Sequence, residues 1–358
     1  MVKEVKNMEK TKVGIIGATG YVGVELIRLL SIHPNVIITH LVSHSFVGKN
    51  FSDIYPAFRG ICDLPLTGDE PESVAADCDL VITALPHGVS SRVVPVLLAK
   101  GVKVIDHSGD FRYRLPAVYE ASYGLVHPCP ELLSQAVYGI PELYRDKLAS
   151  ASLVANPGCY PTCSILGLAP LLSGKLINTR GIIVDAVSGI SGAGRKADLS
   201  YSYCESSDNF KAYAVTFHRH TTEIEQEYSF LAGEDVCITF TPHLAPMKRG
   251  MYATIYADLL PAASHMTAQD LHAVYKSYYA GDPFVRILPL DTAPETKNVS
   301  YSNYIDISIY TDPRTGKVKV LSAQDNLGKG AASQAVQSLN AMQGYPEGLG
   351  LSNLCGCL

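Results

Sequence analysis

VGIIGATGYVGVELIRLLSIHP, residues 13–34, changes its periodicity at a glycine. Val13 to Ala18 is a short apolar run with the character of a buried strand, and residues 21–34 carry apolar side chains at helical spacing up to a stop at Pro34. Between them Gly17, Gly20 and Gly23 form a G-x-x-G-x-x-G loop where strand gives way to helix. A dinucleotide pyrophosphate can meet backbone N–H groups and the positive end of the helix dipole in that setting. The same glycines would also serve a tight strand-to-helix turn with no ligand.

Working outward, the pattern repeats. Residues 36–43, 79–86 and 102–109 read as apolar strands, with SSRVVPVLLAKG (90–101) as a helix between the last two. Continuous apolar strands alternating with helices predict an α/β fold with a parallel sheet covered on both faces. Beyond about residue 157 the strands become mixed or alternating: 181–189, 236–244, 250–259 and 303–312, the last joined through DPRTG to KVKVLSAQ (317–324) as a hairpin. The expected organisation is a Rossmann-type dinucleotide-binding domain over 1–155, completed by a C-terminal helix within 325–358. An α+β catalytic and oligomerisation domain with a mixed, largely antiparallel sheet is expected over 156–324.

A chain of 358 residues has room for two cores, and 47% hydrophobic with 18% charged residues describes a globular protein. A net charge of −5 without basic runs gives no nucleic-acid signature. No apolar run reaches membrane-spanning length, and the leader MVKEVKNMEKTK has no signal-peptide core. Nine irregularly spaced cysteines argue against a disulfide framework and for a reducing, cytoplasmic compartment. No ligand clusters spaced for zinc occur, so no metal is expected; the Cys355-Gly-Cys357 tail receives no role.

The chemistry starts at NPGCYPT. Cys159 follows a Pro-Gly corner and precedes the apolar run SILGLAPLL, which places it at a helix N-terminus. Unpaired N–H groups and the dipole there favour a thiolate nucleophile. The alternative is a buried, inert thiol, the reading that suits Cys163 better. An exposed helix terminus contributes only about 0.3–1 kcal/mol, less than one pKa unit, so a partner base is required. The segment FHRHTTE offers His220 as that base, with Glu223 to orient it. Extended backbone would put His218 and His220 on one side; a helix opening at His220 would reduce Glu223 to a capping residue.

NAD sites usually place Asp or Glu at the end of the second strand; this chain has Ser43-His44-Ser45 and then Lys49. Hydroxyls with a cation suit a 2′-phosphate, so the expected cofactor is NADP(H), although Lys49 also reads as an ordinary solvated lysine. The loop SGISGAGR, with Ser188, Ser191, Gly192 and Arg195, can cradle a phosphoryl group or lie on the surface. Arg112, at the end of DHSGDFR, could hold a phosphate or carboxylate, or pair with Asp110.

GATGYVG, ALPHGVS, DHSGDFR, YGIPEL, NPGCYPT, SGISGAGR, HRHTTEI and DNLGKGAASQAVQSLN occur in an order that resembles the N-acetyl-gamma-glutamyl-phosphate reductases, relatives of aspartate-semialdehyde dehydrogenase. The resemblance implies Cys159 as nucleophile and His220 as acid/base. It implies NADP beside the glycine loop (Gly17, Thr19, Gly20, Tyr21, Val22, Gly23), beside Pro86, His87 and Gly88, and beside Asn326 and Lys329. Ser43, Ser45 and Lys49 complete the expected cofactor set; Arg112, Ser188, Ser191, Gly192, Arg195 and His218 form the expected substrate set. It also implies N-acetylglutamyl phosphate as substrate, phosphate as product, and a homo-oligomer, dimer or tetramer. A carrier-linked aminoadipyl or glutamyl phosphate, an aspartyl phosphate, or a non-catalytic NADP sensor are the alternatives.

Overall fold

In a computed structural model of the chain, residues 9–68 and 70–351 are described; the Cys355-Gly-Cys357 tail and most of the leader lie outside them. The first sheet contains β1 (Thr11–Ile16), β2 (Val36–Val42), β3 (Leu66–Thr67), β4 (Leu80–Thr83), β5 (Lys103–Asp106), β6 (Val137–Tyr138) and β7 (Leu153–Ala155). They lie in the order β3-β2-β1-β4-β5-β7-β6, and every pairing is parallel. Chain order reverses between β1 and β4, so a crevice opens beyond their carboxyl ends, where ligands of such sheets bind. The glycine loop and ALPHGVS are the two segments that leave those ends. Helix Tyr21–Leu30 follows the loop, with Gly20 as its N-cap.

The second sheet contains β8 (Ile182–Gly189), β9 (Lys211–Ala212), β10 (Ile238–Ala245), β11 (Met251–Asp258), β12 (Val285–Ile287), β13 (Ile305–Asp312) and β14 (Lys317–Gln324). Its order is β12-β13-β14-β11-β8-β10-β9, with β8–β10 and β12–β13 parallel and the other four pairings antiparallel. The α/β class, with one parallel and one mixed, largely antiparallel sheet, therefore agrees with the periodicity. The β13–β14 hairpin pairs Asp312 with Lys317 across the predicted turn.

Five short strands, β3, β6, β7, β9 and β12, carried too few residues for a periodic signal. One of them, β7, leads directly into the cysteine corner. Helix Cys159–Ser173 then packs on β11 and β14 on one side and on helix Arg219–Ala232 on another. It is apolar on all faces because it is enclosed. The segment GKGAA, expected as α-helix, is a π-helical turn over Gly328–Ala332, and regular helix begins at Ser333. Helix Ser333–Gln343 packs against helices Tyr21–Leu30 and Pro141–Leu148 of the first sheet's layer. Among the described residues no helix is long and apolar enough to cross a membrane.

Candidate active site

A cleft of about 430 Å³ lies between the two sheets. One wall carries Gly20, Tyr21 and Val22 with Pro86 and His87; the other carries Gly158, Cys159, Arg219, His220 and the loop Ser191–Arg195. Gly17, at φ +91°, lets the carbonyl of Ala84 come within 2.3 Å of where a Cβ would stand, and a Cβ on Gly23 would meet the Gly17 carbonyl at 2.4 Å. These two glycines therefore serve backbone packing, while Gly20 faces the cleft. Helix Tyr21–Leu30 has no side-chain cap and no acid in its first turn, so its N–H groups stay open to an anion. That donor set fits the pyrophosphate of a dinucleotide.

Cys159 is the first residue of its helix, with Gly158 as N-cap, and it is half-buried at the cleft. Its back is against Gly330 of the π-turn, where an added Cβ would stand 2.9 Å from Cys159 Cβ. Burial pushes the thiol up to about 11, against the opposing pull of the Tyr160 N–H and the Arg112 charge. The helix terminus alone thus leaves the free protein with a protonated thiol. His220 lies so close to Gly158 that a Cβ there would be 2.4 Å from Nε2. Burial, then the neighbouring His218, Arg112 and Arg219, hold this imidazole well below its ordinary range. It is a neutral ring near neutral pH, in the form able to accept the thiol proton.

HRHTTE opens a helix, Arg219–Ala232, and the capping residue is His218, whose Nδ1 accepts the His220 N–H at 3.1 Å. His218 is buried among Tyr160, Tyr213 and Phe240 and not at the cleft, contrary to its expected place with substrate. Glu223 adopts neither of its two expected roles. Fully buried, it accepts the Gly158 N–H at 2.9 Å, the Tyr138 hydroxyl at 2.7 Å and Arg112 Nη1 at 3.1 Å, while His220 Nε2 stays 4.0 Å away. It fixes the cysteine corner and leaves the imidazole to packing.

Arg112 pairs with Glu223 and not Asp110. Its Nε and Nη2 donate to the carbonyls of Asn156 (2.8 Å) and His107 (3.0 Å), which holds the guanidinium in place, and it lines the cleft with two of its five N–H groups not engaged by these bonds. Asp110 instead accepts the N–H groups of Gly88 and Ser91, which fixes the ALPHGVS turn. Arg219, exposed on the cleft wall, is the cation that sequence reasoning left without a role.

Lys329 does not stand where the family resemblance puts it, beside the cofactor. It is fully buried, donating to Glu142 at 2.5 Å and Gln337 at 2.7 Å, and it does not line the cleft. Its neighbour Asn326 does, holding the Ser191 hydroxyl at 3.0 Å and accepting the Gly250 N–H at 2.8 Å. Ser188 is likewise turned inward, its hydroxyl on the Gly189 carbonyl, whereas Ser191 and Gly192 line the cleft. Thr19 and Ser43 are buried and bonded to each other at 2.8 Å; Ser45 and Lys49 are exposed beyond the end of β2. Arg195 is on the cleft wall, but its Nη1 donates to the Thr19 carbonyl at 3.0 Å. Tyr138, Asn156 and Gly330 lie in YGIPEL, NPGCYPT and DNLGKGAASQAVQSLN without a role of their own in the sequence, and only the fold brings them together at the cysteine corner.

Residues 12–151 match the family described as semialdehyde dehydrogenase, NAD binding domain, and residues 159–326 the one described as semialdehyde dehydrogenase, dimerisation domain. The chain is 53% identical over 341 residues to the N-acetyl-gamma-glutamyl-phosphate reductase of Acetivibrio thermocellus, covering 95% of this chain and 98% of that one. It is 52% identical over 344 residues to the protein of that name from Geobacter sulfurreducens, covering 96% and 98%. Aspartate semialdehyde dehydrogenase II from Vibrio cholerae superposes with a TM-score of 0.72 at 17% identity, covering 94% of this chain and 99% of that one. The Candida albicans aspartate semialdehyde dehydrogenase solved with NADP gives 0.69 at 17% identity, with the same coverage. At that identity the structures share the fold.

Proposed function

This chain belongs to the N-acetyl-gamma-glutamyl-phosphate reductases of the semialdehyde dehydrogenase family, and we propose that it reduces N-acetylglutamyl 5-phosphate to the 5-semialdehyde with NADPH, releasing phosphate, in arginine biosynthesis. The observation that carries the reading is the shared cleft: the open helix N-terminus of the glycine loop and the Cys159–His220 corner line one cavity.

Cys159 Sγ attacks the acyl carbon while His220 takes the thiol proton, the C–O bond to phosphate breaks, and a thioester remains on Cys159. A nicotinamide held in the cleft would supply the hydride that reduces this thioester. His220, now protonated, returns its proton as the aldehyde forms and the thiolate leaves. The N-terminus of helix Cys159–Ser173 stabilises negative charge on that sulfur, and Glu223 holds the turn that presents it. Gly20, Tyr21, Val22, Pro86 and His87 would hold the cofactor, and Asn326 would support it through Ser191. Arg219 is the unengaged cation suited to the phosphoryl group or a substrate carboxylate.

The second domain supports a homo-oligomeric reading, dimer or tetramer: Tyr252, Thr254 and Tyr256 alternate outward, half-buried, on a sheet whose other face packs on helix Cys159–Ser173. A cytoplasmic location agrees with the free thiols.

The test is nicotinamide absorbance with N-acetylglutamate 5-semialdehyde, phosphate and NADP, run beside aspartate semialdehyde, in wild type and Cys159→Ser. The expected result is turnover of the acetylated aldehyde that falls on the order of 10³-fold or more in the variant. Full activity in Cys159→Ser would remove the thioester, and preference for aspartate semialdehyde would remove the acyl assignment.

A further inference from the structure

Arg195 stands apart from the rest of the SGISGAGR loop. Gly194, at φ +80° and ψ −173°, has a backbone conformation open almost only to glycine, and the chain leaves it with the next side chain across the glycine loop. The guanidinium lies over the rings of Tyr55 and Phe46, 5.1 and 5.6 Å from their centroids, and spends one N–H on the Thr19 carbonyl. The Tyr55 hydroxyl donates to that same carbonyl at 2.8 Å. Lys49 Nζ is 5.9 Å from the Phe46 ring centroid. Among the described residues neither Arg195 nor Lys49 has a carboxylate within 4.0 Å, although most arginines of the protein have one.

Two cations thus flank aromatic faces just past the end of β2, without an anion of the protein to neutralise them. In a parallel sheet of this order that is the ribose end of a dinucleotide, not the reacting end. Planar guanidinium groups stacked on aromatics keep their edge N–H groups free for bidentate contacts to phosphate.

Resting on the NADPH reading above, we infer that Arg195, delivered from the second domain, together with Lys49 receives the adenosine 2′-phosphate and selects NADP over NAD. The substrate's phosphoryl group is left to the cysteine end, where Arg219 is free. Because Arg195 and Thr19 belong to different layers, cofactor binding would also fasten the 191–195 loop to the glycine loop.

Calorimetric titration with 2′,5′-ADP and with 5′-AMP, without acyl substrate, tests this directly. Wild type is expected to prefer 2′,5′-ADP. Arg195→Ala should lose roughly 10- to 100-fold in affinity for 2′,5′-ADP and little for 5′-AMP, with partial recovery in Arg195→Lys. An unchanged preference in Arg195→Ala overturns the inference while leaving the NADP reading intact; a raised KM for phosphate in that variant would return Arg195 to the substrate. Equal binding of the two probes by wild type overturns the NADP reading and this inference with it. Arg195 is exposed, so circular dichroism is expected to be the same for all three proteins.

Discussion

At the cysteine end of the cleft, Glu223, Arg112 and Asn156 are almost wholly buried, and Glu223 alone serves three donors from three separate segments. At the opposite end Lys49 and Arg195 are exposed, and Arg195 is held by one hydrogen bond and two ring faces. Under the proposed function the two ends have different tasks. A nucleophile has to be presented at a fixed angle before substrate arrives, because misplacement is costly in rate, and that demands partners that cannot relax. A group that recognises a charged ligand can be assembled by the ligand itself, and exposure keeps its desolvation cost low.

Perturbing the buried end should cost stability as well as rate. Glu223→Gln leaves the Arg112 guanidinium buried without its countercharge, so a loss of about 3–5 kcal/mol is expected. Urea unfolding of wild type and variant measures it; an unchanged midpoint would mean that the corner does not depend on this ion pair.

The burial of Cys159 can be tested without mutation. With the thiol pushed up to about 11, alkylation by iodoacetamide in the absence of ligands should quicken roughly tenfold per pH unit from neutral pH upward. Peptide mass analysis separates Cys159 from the exposed Cys204 and Cys237. A rate already level near pH 7 would reveal a preformed thiolate, so that the helix terminus and its neighbours outweigh burial.

A smaller effect is expected from Gly158→Ala. The added methyl overlaps the His220 ring, and because that ring packs among His218 and Tyr160 it has to shift and not simply swing away. We expect kcat to fall on the order of tenfold with affinity for 2′,5′-ADP kept. Loss of both would mean that the two ends of the cleft are coupled more tightly than their contacts indicate.

The sequence was most legible where function follows from a local pattern. Gly17–Gly23 sits between an apolar run and an amphipathic one, and Cys159 sits just after Pro-Gly and just before a helix, so both could be placed from neighbours in the chain. Glu223 reads in the sequence as the residue that orients His220, with helix capping as the alternative, and it does neither: its place in HRHTTE cannot display Arg112, Tyr138 and Gly158, the partners it meets. Lys329 differs for the same reason: its motif position implies a cofactor contact, whereas the π-turn points the ammonium inward to Glu142.

Periodicity, turn residues and composition by themselves determined the two-layer α/β plan, the strand-to-helix glycine loop and the cysteine at a helix start, because each depends on which side chains a short segment must bury or expose. Only the tertiary structure decided which polar groups face one another. Glu223 meets Gly158 across 65 positions, Arg195 meets Thr19 across 176 and Lys329 meets Glu142 across 187. A buried charge is satisfied by whichever donor the packing brings opposite it, and nothing in the spacing of residues along one segment records what a distant segment will offer.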